Sequence, residues 1–227
     1  METLTKIPFS LDDEQIQTQA HVEVGSSDAK DLSSLIELAQ EVGKPKAAYA
    51  VSFIGERDGD TIQIDDVPFI SRTLVHNLES VQRVFPVVAT CGNELDEAFP
   101  DKGDMLKEFW WDLIKNHLLG AANKHLSDHL HHKFRLGKTA TMHPGSGDAS
   151  VWPIEQQKEL FTLLGDVEGA IGVRLTESSL MVPNKTTSGL MYPTETDFRS
   201  CEVCHRENCT SRHAPFNKTL WEEIQHD

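Results

Sequence analysis

The sequence predicts an α+β domain whose antiparallel sheet packs against helices, one of them long and central. Three observations predict it. Helical and alternating segments both occur but do not follow one another in a regular strand-helix series, which argues against a parallel sheet. An Asp58-Gly59 turn signal joins two alternating apolar stretches, the signature of a hairpin. An apolar stripe at helical spacing runs from Asp104 to Leu136 through Leu106, Trp110, Leu113, Ile114, Leu118, Ala122, Leu126 and Leu130.

In chain order, residues 1–30 are polar and acidic with little periodicity, and are expected as an arm or a strand that docks late. Asp31 is suited to cap a helix carrying Leu32, Leu35, Ile36, Leu38 and Ala39, which stops near Gly43 and Pro45. Ala47–Ile54 alternates around Tyr49, Val51 and Phe53, and Thr61–Ile64 returns after the Asp-Gly turn. Ser71 caps a helix with Leu74, Leu78 and Val81 inward, Val84 fitting either that helix or the next element, and Val84–Ala89 reads as a buried strand ending at Cys91-Gly92. In the long helix Gly120 marks an expected close approach, and Gly137 ends it. Thr139–Met142 is a short strand, and Pro144–Ser150 a loop rich in Gly and Ser. Trp152–Leu164 is an amphipathic helix with Pro153 in its first turn. Strands are expected at 171–175, 179–182 and 188–192, with a turn at Pro183-Asn184.

Composition narrows the function. At 227 residues the chain suits one domain with appendages. Its net charge of −15 repels phosphate backbones and anionic membranes, so neither nucleic acid nor membrane is an expected partner. No apolar run approaches a membrane-spanning length, and the start lacks a signal-peptide pattern; a cytoplasmic location is expected. Four cysteines are too few for a disulfide scaffold, and three of them fall within nine residues, as in a metal or redox site.

The stretch Leu175-Thr176-Glu177-Ser178-Ser179-Leu180-Met181-Val182-Pro183, continuing to Thr186-Thr187-Ser188-Gly189, resembles the C-terminal activation domain of cobalamin-dependent methionine synthase. Glu159–Gly165 and Gly172–Leu175 also look like that domain. The resemblance is specific over about residues 140–193, looser over 40–140, where the chain is similar to free-standing relatives, and ends after Tyr192. It implies a methionine synthase activation-domain-like fold that binds S-adenosylmethionine and docks on a corrinoid-binding protein or methionine synthase module, supporting reductive reactivation or methyl transfer. It implies ligand-facing roles for His143, Gly145, Gly147, Glu177, Met181, Pro183, Ser188 and Gly189. The chain departs from the family at two anchors. His143 stands where the family carries Arg, and Asp148 where it carries Tyr, so an always-charged bidentate donor for the ligand carboxylate is missing.

Cys201, Cys204 and Cys209 follow at gaps of two and four residues, and thiolates select zinc or iron-sulfur clusters. His213 as fourth ligand makes a zinc site, whereas Cys91 as fourth ligand makes an all-thiolate cluster. Arg199, Arg206 and Arg212 favour the thiolate form. Spacing leaves both metals open; the corrinoid resemblance, with its need for a strong reductant, favours the cluster. His125, His129 and His132 share one face of the long helix, either as a metal site or as a solvated polar face. Glu177 and Lys185 can pair across the turn or meet a corrinoid amide. The expected organisation is an arm at 1–30, an activation-domain-like body at 31–195, and a Cys-rich metal-binding segment at 196–227. A non-catalytic, zinc-stabilised binding module is the alternative reading.

Overall fold

The computed structural model describes residues 1–147, 151–210 and 212–226. The first 30 residues are built into the body. Strand β1 (Glu2–Leu4) pairs with β2 (Lys46–Tyr49), and α1 (Asp13–Gln19) buries Ile16. Helix α2 (Ser27–Val42) starts one turn before the expected Asp31, because the Ser26 hydroxyl accepts from the Ala29 amide. Its Leu32, Leu35, Ile36 and Ala39 are buried and it stops at Gly43, as the periodicity predicts.

After β2, strands β3 (Ser52–Asp58) and β4 (Thr61–Ile64) form the expected hairpin, with Gly59 at positive φ in its turn, and β5 (Val67–Ile70) adds a third strand. Ser71 caps α3 (Arg72–Asn77) by accepting from Leu74 N at 3.0 Å. Strand β6 (Arg83–Thr90) leads through α4 (Glu94–Ala98) into α5 (Met105–Phe134), about 45 Å long at 1.5 Å per residue. Asp104 caps α5 at its start. At its end Arg135, not Gly137, takes the left-handed position, with φ 52°. A side chain at Gly120 would meet open space, so that glycine marks no close contact. Strand β7 (Thr139–Met142) follows, then a 3-10 turn (Ile154–Gln156), α6 (Gln157–Leu164) and α7 (Val167–Ile171). The strand expected at 171–175 shrinks to β8 (Arg174–Leu175), since 167–171 is helical; β9 (Met181–Val182) pairs with it and ends in a cis Val182-Pro183 bond. Strand β10 (Thr186–Pro193), a 3-10 turn (Ser200–Val203) and α8 (Lys218–His226) complete the fold.

All pairings are antiparallel. One sheet runs β1-β2-β6-β3-β4-β5, with β10 on the open side of β6 and β7 beyond it. Both faces are buried, which is why β6 reads as a continuous apolar run. Tyr49, Phe85, Val87, Ala89 and Met191 pack on Ala122, Leu126 and Leu130 of α5. On the opposite face Leu190, Tyr192 and Met142 pack with Leu74, Trp152, Leu160 and Ile224. Further along α5, Trp110, Trp111, Ile114 and Leu118 close a second apolar cluster with α1 and α2. The long central helix and the antiparallel sheet are thus as the sequence predicts.

Candidate functional site

Three of the residues singled out by the sequence, His143, Ser188 and Gly189, meet at β10. This strand lies between β6 and β7, with Gly189 opposite Val87 and Leu190 opposite Met142. Gly189 is required by its neighbours. A Cβ there would collide with the Met142 carbonyl oxygen, reach 2.8 Å from His143 Nδ1, and stand 3.0 Å from the Thr141 methyl. The missing side chain is what lets His143 lie against the strand.

His143 Nδ1 lies 2.6 Å from the Ser188 carbonyl oxygen. A carbonyl only accepts, so Nδ1 carries the proton and Nε2 is the acceptor of the neutral ring. Burial pushes the His143 pKa down, and the Ser188 carbonyl offsets part of that. The ring is therefore a neutral, oriented imidazole rather than a replacement for a permanent cation. Ser188 is held from its other end as well: its hydroxyl takes a hydrogen bond from Gln157 Nε2 at the start of α6. Gln157 is 2% exposed and was invisible to sequence reasoning, because it reads as one more polar position on an amphipathic helix.

The loop after His143 turns on two glycines. Gly145, at φ 77°, packs on Ile154 and its amide donates to the Trp152 carbonyl. Gly147, at φ 93°, has Cys204 as its nearest neighbour: a Cβ there would stand 3.7 Å from Cys204 Sγ. The remainder of the expected loop, Asp148 to Ser150, lies outside the described residues. The Cys-rich segment and the His143 loop thus lie side by side, with room between them for one methyl group.

At the other end of β10, α5 holds the turn by charge. Lys115, buried, donates to Asn184 Oδ1 at 2.9 Å and pairs with Asp96. Lys185 pairs with Asp112 at 2.6 Å, not with Glu177, which is exposed on the loop between β8 and β9. Met181 is half-buried and packs beside Leu164, Val167 and Ile171; Pro183 is buried, and its carbonyl accepts from the Thr186 hydroxyl.

The cysteines separate into two places. Cys91 is fully buried in the cluster of α2, α4 and α5, its amide bonded to the Lys185 carbonyl, and burial pushes its thiol up to about 12. Cys201, Cys204 and Cys209 lie in the C-terminal segment, and the His213 amide is 3.5 Å from Cys201 Sγ. Among the described residues no three His, Cys, Asp or Glu side chains stand together as a metal set. The segment is instead gathered by Arg212, whose guanidinium donates to the carbonyls of Cys201, Cys204, Arg206 and Ala214 at 2.6–3.1 Å. Among the histidines of α5, His129 Nε2 meets the Tyr49 hydroxyl at 3.1 Å, an intramolecular use that ties the helix to β2.

A cavity of about 440 Å³ opens on the C-terminal segment, lined by Cys204, His205, Glu207, Arg212 and Phe216. Larger clefts, about 790 and 690 Å³, follow β3, α3 and the end of β10 and the β3–β4 turn; none of the predicted ligand-facing residues lines them.

No protein-family model matches the chain, and no curated protein sequence matches it. Among solved structures, the chain is similar to the crystal structure of the MetH reactivation domain bound to AdoHcy. The identity is 15% and the TM-score 0.56, over 88% of this chain and 81% of that one. At that identity the likeness is one of architecture, and it agrees with the resemblance in the sequence: this chain has the fold of the MetH reactivation domain.

Proposed function

We propose that the chain is an activation-domain-like accessory protein, supporting reductive reactivation of, or methyl transfer to, a corrinoid protein. The observation that carries this reading is the likeness of fold over 88% of the chain to a domain crystallised with AdoHcy. The ligand class follows from that neighbour: an S-adenosyl compound, held along the His143–Gly147 loop and β10. His143, Gly145, Gly147, Ser188 and Gly189 supply the close backbone approach, with Glu177, Met181 and Pro183 at the adjoining turn. Gln157 joins them through Ser188. His143 Nε2 offers an acceptor where the family presents a cation, so the ligand carboxylate loses an ionic partner. Binding is accordingly expected to be weak for S-adenosylmethionine and no stronger for S-adenosylhomocysteine. Calorimetric titration of both, on the wild type and on Gln157→Leu, tests the assignment. Saturable heat that Gln157→Leu abolishes supports it, and heat unchanged in the variant places the ligand elsewhere.

The separation of Cys91 favours a second reading of the metal. An all-thiolate iron-sulfur cluster that includes Cys91 does not fit a thiol packed with α2, α4 and α5, in another part of the core from the C-terminal segment. The donor set that stays on one loop is Cys201, Cys204 and Cys209 with His213, a three-thiolate, one-imidazole set of zinc type. Zinc there would fix the C-terminal segment, as in a binding module. Metal analysis of anaerobically purified protein with its visible spectrum separates the readings. One zinc and no colour supports the module; iron with sulfide restores the cluster.

A further inference from the structure

Helix α5 begins with an apolar surface that nothing among the described residues covers. Met105 is 83% exposed, Phe109 55% and Leu106 49%. Residues three and four apart are neighbours on a helix, so Met105 and Leu106 both flank Phe109 on one face, and the three form one patch. The next residues, Trp110 and Trp111, are buried, so the patch is the outward side of a rigidly packed turn.

Its surroundings are net negative. Residues 101–108 set Asp101, Asp104 and Glu108 against Lys102 and Lys107, and Asp31 joins them; Glu94, Asp96 and Asp112 are paired with Lys46, Lys115 and Lys185. Of the two lysines, Lys107 is engaged by Asp31 and Asp101 at 3.3 Å each. The carboxylates of Asp104 and Glu108 are also used in part, capping the helix and bonding the Gly103 amide, but those bonds leave their negative charge in place. The patch stands about 21–27 Å along the helix from Asn123, which bonds Thr187 of β10 beside the His143 site. It is therefore separate from the ligand site proposed along the His143 loop and β10.

We propose that the start of α5 is a protein-docking surface for a basic amphipathic partner, one that presents an apolar ridge flanked by lysine or arginine. Burial of exposed Met and Phe side chains supplies the attraction and the carboxylate rim selects the sign of the partner. A second copy of this chain is disfavoured by the same rim, because two such patches would bring like charges face to face.

The test uses the full chain, labelled for NMR, and a 14-residue helical peptide with leucines on one face and lysines on the other. The expected result is that shifts concentrate at residues 101–113. Affinity falls at least tenfold in Met105→Ser/Phe109→Ser, and at least tenfold between 50 and 500 mM salt. Both substitutions are at exposed positions, and an unchanged thermal midpoint confirms that the fold is intact. A polylysine peptide of equal charge binds at least tenfold more weakly. Equal binding of the two peptides, an unaffected double variant, shifts centred elsewhere, or self-association of the chain through α5 each overturns the proposal.

Discussion

The body of the molecule and its C-terminal segment are held together by different physics. In the body, β6 and β10 are buried on both faces, and α5 contributes eight buried residues along its length. In residues 196–226 the apolar anchors are few: Val203 and Ile224 are buried, with Phe198, Leu220 and Trp221 partly so. The rest is gathered by hydrogen bonds, chiefly the four carbonyls on Arg212 and the bond from Arg72 to the Gln225 carbonyl. Burial is non-directional and tolerates modest change in shape, whereas a guanidinium in a ring of carbonyls depends on one side chain. The body should therefore lose stability in proportion to volume removed, and the segment all at once.

The largest effect is expected in the body. Trp110→Ala empties a site between α1, α2 and α5, and should cost about 3–5 kcal/mol of unfolding free energy in denaturant titration. Gly189→Ala comes next, at about 2–3 kcal/mol, because the added methyl meets the Met142 carbonyl and His143, and backbone cannot yield as a side chain can. Arg212→Ala should cost about 1–2 kcal/mol, confined to the segment. Hydrogen exchange would then rise over 200–216 while β6 and α5 stay protected. Equal loss of protection in the core would erase the distinction between the two regions.

The smallest effect lies at the seam. Burial lowers the pKa of His143 in the folded state, so the unfolded chain binds the proton first. The neutral-ring contribution is fully present above the ordinary histidine value of about 6.5 and is lost as pH falls through the lower folded value. His117 shifts in the same direction through burial. The difference between wild type and His143→Gln in stability across pH 5–7 isolates the site: the variant should show the shallower slope. Parallel slopes would mean that the ring is solvated and the packing on Gly189 is not what sets its charge.

Much of the architecture was legible because its signals are local. Asp104 begins α5 and Ser71 begins α3 through bonds to amides two or three residues away, and Asp58-Gly59 turns the hairpin within its own four residues. The errors are equally local. Gly137 looks like a helix stop, yet Arg135 turns first, and Gly120 looks like a contact point but faces open space. The site was half legible. Ser188 and Gly189 stand out through resemblance, whereas Gln157, Lys115 and Asp112 carry no mark of the contacts they make, and Arg212 stands out for its charge beside the cysteines but not for the carbonyls it binds.

By itself the sequence determined the helix faces, the hairpin, the antiparallel α+β class and the likeness to the activation domain, since each depends on neighbours in the chain or on a retained motif. Only the tertiary structure decided which distant groups come near one another: that Cys91 is buried apart from the other thiols, that Cys204 faces Gly147 across the width of a methyl group, and that Arg212 organises the tail. Metal-ligand spacing states what a segment is able to gather. Whether its donors gather, or its carbonyls close on a guanidinium, depends on packing between residues far apart in sequence.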